Sequence, residues 1–159
     1  MAFALIPDHG SSAARSPAVI VVPRRAISYN ARGKVRFQSG LAADALAVVA
    51  APFTSSPLYA KVVYFHRGRS TLDADNLSKP VLDALKGVVY TDDSQIVLRV
   101  AAKVALEVDT YEIRATAAIM TEYQQLIGLL ATEEYVLYIE VGDLDAVRLS
   151  VGALHGGPL

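Results

Sequence analysis

The chain has 159 residues, 53% of them hydrophobic and 19% charged, with a net charge of −1 and no cysteine. Its size suits one domain with a sizeable core, and its composition excludes a disordered chain. Disulfides and thiolate zinc sites are excluded, no apolar run reaches the roughly 18 residues of a membrane span, and no basic start precedes an apolar stretch, so a cytoplasmic protein without a signal peptide is expected.

Residues 1–16 carry Pro7, Gly10, Ser11 and Ser12 and read as a flexible lead-in. Ala18-Val19-Ile20-Val21-Val22, stopped by Pro23, reads as a buried strand. From Arg24 to Arg36 the residues Arg24, Arg25, Arg32, Lys34 and Arg36 interleave with Tyr29 and Asn30, a pattern that suits phosphate contacts and base stacking. The plainer alternative is a solvated hairpin or loop with ordinary surface charge. Ser39 is a good N-cap for a helix from Gly40 to about Ala51, and its single charge, Asp44, suggests burial on more than one side.

Leu58 to Phe65 alternates as a strand, followed by His66, Arg67 and Arg69. A lone His is more often structural than catalytic, whereas Arg67 and Arg69 stand where a phosphate grip would be useful. Next comes a helix capped by Asp75 or Asn76 and stopped by Gly87, with Leu77, Val81, Ala84, Leu85 and Val88 on one side and Lys79, Asp83 and Lys86 on the other. Asp83 is placed to pair with Lys79 at i, i+4. Pro80, early in the helix, does not veto it. Ile96–Val104 and Tyr111–Ala117 read as two strands in a hairpin around Glu107-Val108-Asp109. Thr121–Thr132 fits a helix, and Tyr135–Val141 with Ala146–Val151 fits a strand pair around Gly142-Asp143. The predicted class is α+β, a small mixed β-sheet packed with helices.

Charge is unevenly distributed. Residues 1–70 hold nine basic and two acidic residues, +7, whereas residues 71–159 hold six and fourteen, −8. A phosphate-binding surface beside a carboxylate metal site would have this asymmetry, as would two halves that neutralise each other across a fold or dimer interface. The acids include two pairs around the central helix. Asp73 and Asp75, spaced as in an extended strand, make a two-carboxylate claw, and a return loop could bring one of Asp92 and Asp93 back to it. Carboxylates about 4 Å apart repel by roughly 4 kcal/mol at an effective dielectric near 20, so such a cluster needs a cation. Oxygen-only donors favour Mg²⁺ or Mn²⁺.

The residues Asp73-x-Asp75-Asn76-x-x-Lys79-x-x-x-Asp83-x-Leu85, followed by Asp92-Asp93-x-Gln95-Ile96, resemble the signature of the RusA family of Holliday junction resolvases. The resemblance covers Arg69 to Val100, extends back to about Val22 and fades beyond Ala118. It implies a RusA-like nuclease domain over residues 17–118, with residues 119–159 an extra C-terminal helix and strand segment packed on the same domain. It implies a Mg²⁺-dependent (or Mn²⁺-dependent) homodimeric endonuclease that resolves four-way DNA junctions by paired symmetric cuts in recombination and repair. Asp73, Asp75 and Asp93 would carry metal, with Asp92 the weaker of its pair, and Lys79 would meet the scissile phosphate. DNA would be held by Arg24, Arg25, Arg32, Lys34, Arg36, Arg67 and Arg69, and the helix after Ser39 would help build the dimer. The alternatives are a catalytically silent branched-DNA-binding or structural dimer, and a nuclease that prefers other branched DNA.

Overall fold

The computed structural model describes residues 15–54 and 57–144. The expected strand Ala146–Val151 and all but the end of the expected lead-in lie outside them. The elements run β1 (Ala18–Val22), α1 (Lys34–Leu46), β2 (Leu58–His66), α2 (Ala74–Leu85), β3 (Ile96–Ala105), α3 (Met120–Thr132) and β4 (Tyr135–Asp143). They form one mixed four-stranded sheet in the order β1-β4-β2-β3, so the α+β reading holds.

Strands β2 and β3 are parallel, from Leu58 opposite Ile96 to His66 opposite Ala105. Parallel neighbours require a crossover, and α2 supplies it, so the motif helix is the middle of a β-α-β unit. β4 runs antiparallel to both β1 and β2, pairing Ile139 with Ile20 on one side and with Val62 on the other. The C-terminal segment expected as an extra helix and strand packed on the same domain therefore supplies an interior strand. Its sequence YVLYIEV already shows why, since Val136, Leu137, Ile139 and Val141 are fully buried and an edge strand has no use for two apolar faces.

Strand alternation divides the core in two. Ile20, Leu58, Ala60, Val62, Leu137 and Ile139 meet Phe37 and Leu41 of α1 and Leu77, Val81 and Leu85 of α2. On the other face Val19, Val21, Phe65 and Val136 meet Leu126 and Leu130 of α3.

Two expectations shift. Helix α1 begins at Lys34, not Gly40, and ends at Leu46, because Gly33 takes a left-handed φ of 89° and the stripe Phe37, Leu41, Ala45 extends the apolar period upstream of Ser39. That stripe is its one buried side, while Val35, Leu46 and Val48 are exposed, which corrects the expectation of burial on several sides. The hairpin after β3 is also half right. The turn forms, with Asp109 N–H donating to the Ala105 carbonyl and the Asp109 carboxylate accepting from Ala105 N–H, yet residues 109–116 join no ladder. Tyr111 instead packs edge-on to Phe65, with ring centroids 6.1 Å apart, and Ile113 joins the α3-side cluster. These contacts on the sheet face take the place of pairing at its edge, and among the described residues β3 is an edge strand.

Candidate active site

Asp73 is the N-cap of α2, with extended backbone (φ −81°, ψ 145°), but its side chain makes no capping bond. Asp75 lies inside the first turn, not ahead of the helix as expected, and its Oδ1 accepts from Asn76 N–H at 3.0 Å. Both carboxylates sit at the positive end of the helix, where negative charge is stabilised. Asp73 and Asp75 are exposed, and Asp73 has no partner among the described residues.

At the other end of α2, the segment Thr91–Gln95 is a turn built by one glutamine. Gln95 is 6% exposed, and its Oε1 accepts from Thr91 N–H, Thr91 Oγ1 and Asp92 N–H, each at 2.8 Å, while its Nε2 donates to the Phe53 carbonyl at 3.2 Å. Asp92 closes the reciprocal capping box by accepting from Ser94 N–H at 3.0 Å. That hydrogen bonding, helped by Lys86, brings the Asp92 carboxyl down to about 2. Asp92 is thus the cap of this turn.

Asp93 is left to face outward. Lys86 Nζ lies 3.1 Å from Asp92 Oδ2 and 3.4 Å from Asp93 Oδ2, and the Tyr90 hydroxyl is 3.4 Å from Asp93 Oδ1. Burial raises the Tyr90 phenol, with Asp93 adding to the effect, so it stays a donor, and its proton goes to the Leu82 carbonyl at 2.7 Å. The sequence places Lys86 on the polar side of the helix without assigning it a partner, although a lysine ahead of an aspartate pair is a readable signal for this clamp.

These contacts decide where the second pair goes. The ends of α2 are roughly 16 Å apart at 1.5 Å per residue, and Lys86 holds Asp93 at the C-terminal end. Among the described residues no three His, Cys, Asp or Glu side chains form a group that could hold a metal ion. The donor chemistry suits a hard cation, but the placement of Asp73, Asp75 and Asp93 does not fit a three-carboxylate centre.

Lys79 projects from the exposed side of α2, as the helical projection requires, and pairs with Asp83 at 3.2 Å. Lys34, the first residue of α1, reaches the same carboxylate at 3.9 Å. The Tyr29 ring lies under both ammonium groups, 3.6 Å from Lys34 Nζ and 5.0 Å from Lys79 Nζ.

The basic residues divide into two kinds. Arg24 donates to Asp44 through Nε at 3.1 Å and Nη2 at 2.5 Å, and lies so close to Gly40 that a Cβ there would meet it at 2.7 Å. Arg67 donates to the Leu130 carbonyl at the end of α3 at 2.7 Å, and Arg25 lies over the Tyr135 ring. Arg24 and Arg67 therefore tie the fold together. Arg32, Arg36 and Arg69 make no ion pair with the described residues. His66 is buried, with Nδ1 3.1 Å from the Gly68 carbonyl, in line with a structural role. No described helix is long and apolar enough to cross a membrane.

Compared with known proteins, residues 24–127 match the family model described as Endodeoxyribonuclease RusA. No curated protein matches the chain.

Proposed function

Because the chain belongs to the RusA endodeoxyribonuclease family, we propose that it hydrolyses phosphodiester bonds of four-way or other branched DNA, in the cytoplasm, as a homodimer that uses Mg²⁺ or Mn²⁺. The observation that carries this reading is the folding of the whole motif as one unit: acids at the start of α2, Lys79 on its exposed side, and Asp93 on a turn pinned by Gln95. Lys79 offers its ammonium to the phosphate and balances charge that develops on it. Asp73, exposed and without a partner among the described residues, is free to orient water or accept its proton. A divalent ion, when bound at the acids, would supply a more acidic water and a counter-charge to the phosphate. Its support is the all-oxygen pair Asp73 and Asp75 at the start of α2; Asp93, held by Lys86 at the other end of the helix, stands apart from them.

Arg32, Arg36 and Arg69 are the residues offered to the DNA backbone, being the members of the expected DNA-binding set whose side chains make no ion pair, ring contact or hydrogen bond with the described residues. The exposed Val35 and Leu46 of α1, with Val48 just beyond its end, give this part of the chain apolar outer surface suited to a second copy. Two-fold symmetry in the protein would match paired cuts in a four-way junction.

One observation favours a second reading, a silent branched-DNA binder, namely the separation of Asp93 from the acids at the start of α2. A single assay separates the two. Four-way junction, flap and linear duplex are offered with and without Mg²⁺ to the native chain and to Asp75→Asn. Metal-dependent cutting of branched DNA that Asp75→Asn abolishes supports the nuclease; binding without cutting by the native chain supports the binder.

A further inference from the structure

The contacts around Lys79 are more elaborate than an i, i+4 pair requires. A lysine four residues ahead of an acid is the weaker order for such a pair on a helix, so Lys79 and Asp83 alone would hold each other loosely. The fold adds a second lysine from another helix. Lys34 approaches Asp83 Oδ2 while Lys79 takes Oδ1, so one carboxylate is shared oxygen by oxygen between two ammonium groups. Tyr29 offers both the electron-rich face of its ring. The two lysines differ in freedom: the Lys79 side chain is 52% exposed and that of Lys34 only 28%. The cluster carries two positive charges and one negative, so it has one charge to offer an anion.

We propose that Tyr29, Lys34 and Asp83 are positioning residues for Lys79: they park its ammonium beside the cleavage motif, and Lys34 keeps Asp83 neutralised when Lys79 leaves it for a DNA phosphate. The half-buried Lys34 stays on Asp83, and the exposed Lys79 is the one that moves. Without Lys34, Asp83 has Lys79 as its sole ammonium partner among the described residues and holds it back. The proposal rests on the reading of Lys79 as the residue that meets the scissile phosphate.

The experiment is single-turnover cleavage of a four-way junction at saturating protein, with junction affinity measured in parallel without divalent metal. The variants are Lys34→Met, Asp83→Asn, the double variant and Lys79→Met. Lys34→Met should cleave about fivefold more slowly, the scale of a partly exposed ion pair. Adding Asp83→Asn should restore most of that loss, because it frees Lys79. Neither a lost phosphate contact nor a loosened fold predicts such a rescue, and melting temperature checks the fold of each variant. An unchanged rate in Lys34→Met, or a slowed rate that Asp83→Asn does not rescue, overturns the proposal. If Lys79→Met cleaves like the native chain, the reading of Lys79 itself fails, and the positioning proposal falls with it.

Discussion

Glu140→Gln tests the position of β4, on which the rest of the sheet depends. Glu140 is 5% exposed and accepts from the Tyr59 hydroxyl at 2.6 Å, the Tyr138 hydroxyl at 2.6 Å and Lys61 Nζ at 3.0 Å. Two of these donors belong to β2, so the network exists only if β4 lies beside it. Burial by itself would raise the Glu140 carboxyl, but the Lys61 charge and the three hydrogen bonds outweigh it and hold the carboxyl below its ordinary value. Hydrogen bonds to a charged group contribute about 1.5–3 kcal/mol each, and breaking a buried pair costs about 3–5 kcal/mol. Glutamine keeps one acceptor and loses the charge, and Lys61 is partly exposed, so about 2–4 kcal/mol is expected. With a urea slope of about 2 kcal/mol per molar, the unfolding midpoint should fall by about 1–2 M. Because the folded carboxyl is depressed, its contribution is present above the ordinary value of 4.5 and lost as pH falls below it. The native chain should therefore lose its margin over Glu140→Gln in acid. A midpoint shift equivalent to less than about 0.5 kcal/mol, with unchanged slope, would refute the buried network and its placement of β4.

Other outcomes follow from the site. Asp75→Asn should abolish cleavage of a four-way junction in Mg²⁺ while junction binding holds and stability changes by less than about 1 kcal/mol, the scale of a helix-end charge; unchanged cleavage would remove Asp75 from the site. Arg32, Arg36 and Arg69 replaced together by Ala should weaken binding and reduce the slope of log affinity against log salt by up to about 3, whereas Arg24→Ala should lower the melting temperature instead, since its guanidinium is held by Asp44. Gln95→Leu removes the acceptor of three donors in the Thr91–Gln95 turn and should cost about 2–3 kcal/mol in urea unfolding. The depressed Asp92 carboxyl stabilises the fold above its ordinary 3.8 and ceases to do so as pH falls toward about 2, so Asp92→Asn should flatten the pH dependence of stability in that window.

Much of the site was legible in the sequence because it is local. Lys79 and Asp83 meet through helix geometry alone, Gly87 ends the helix region with a φ of 82°, and the Asp92-x-x-Gln95 spacing encodes its own capping box. The partners of charged groups were not legible. Nothing in Arg24 or Arg67 says that one is held by Asp44 and the other by the end of α3, and Lys86 takes Asp93 because the turn after α2 folds back to the end of that helix.

The sequence by itself determined the residues of β1, nearly all of β2, β3, α2 and α3, and the motif that places the chain among RusA endodeoxyribonucleases, since apolar periods and motif spacing are properties of neighbours along the chain. Only the tertiary structure decided that β4 enters between β1 and β2, that residues 109–116 leave β3 as an edge, and that the two aspartate pairs stand at opposite ends of α2. Strand order and ion pairing are settled by which buried faces fit together across tens of residues, where local periodicity carries no information.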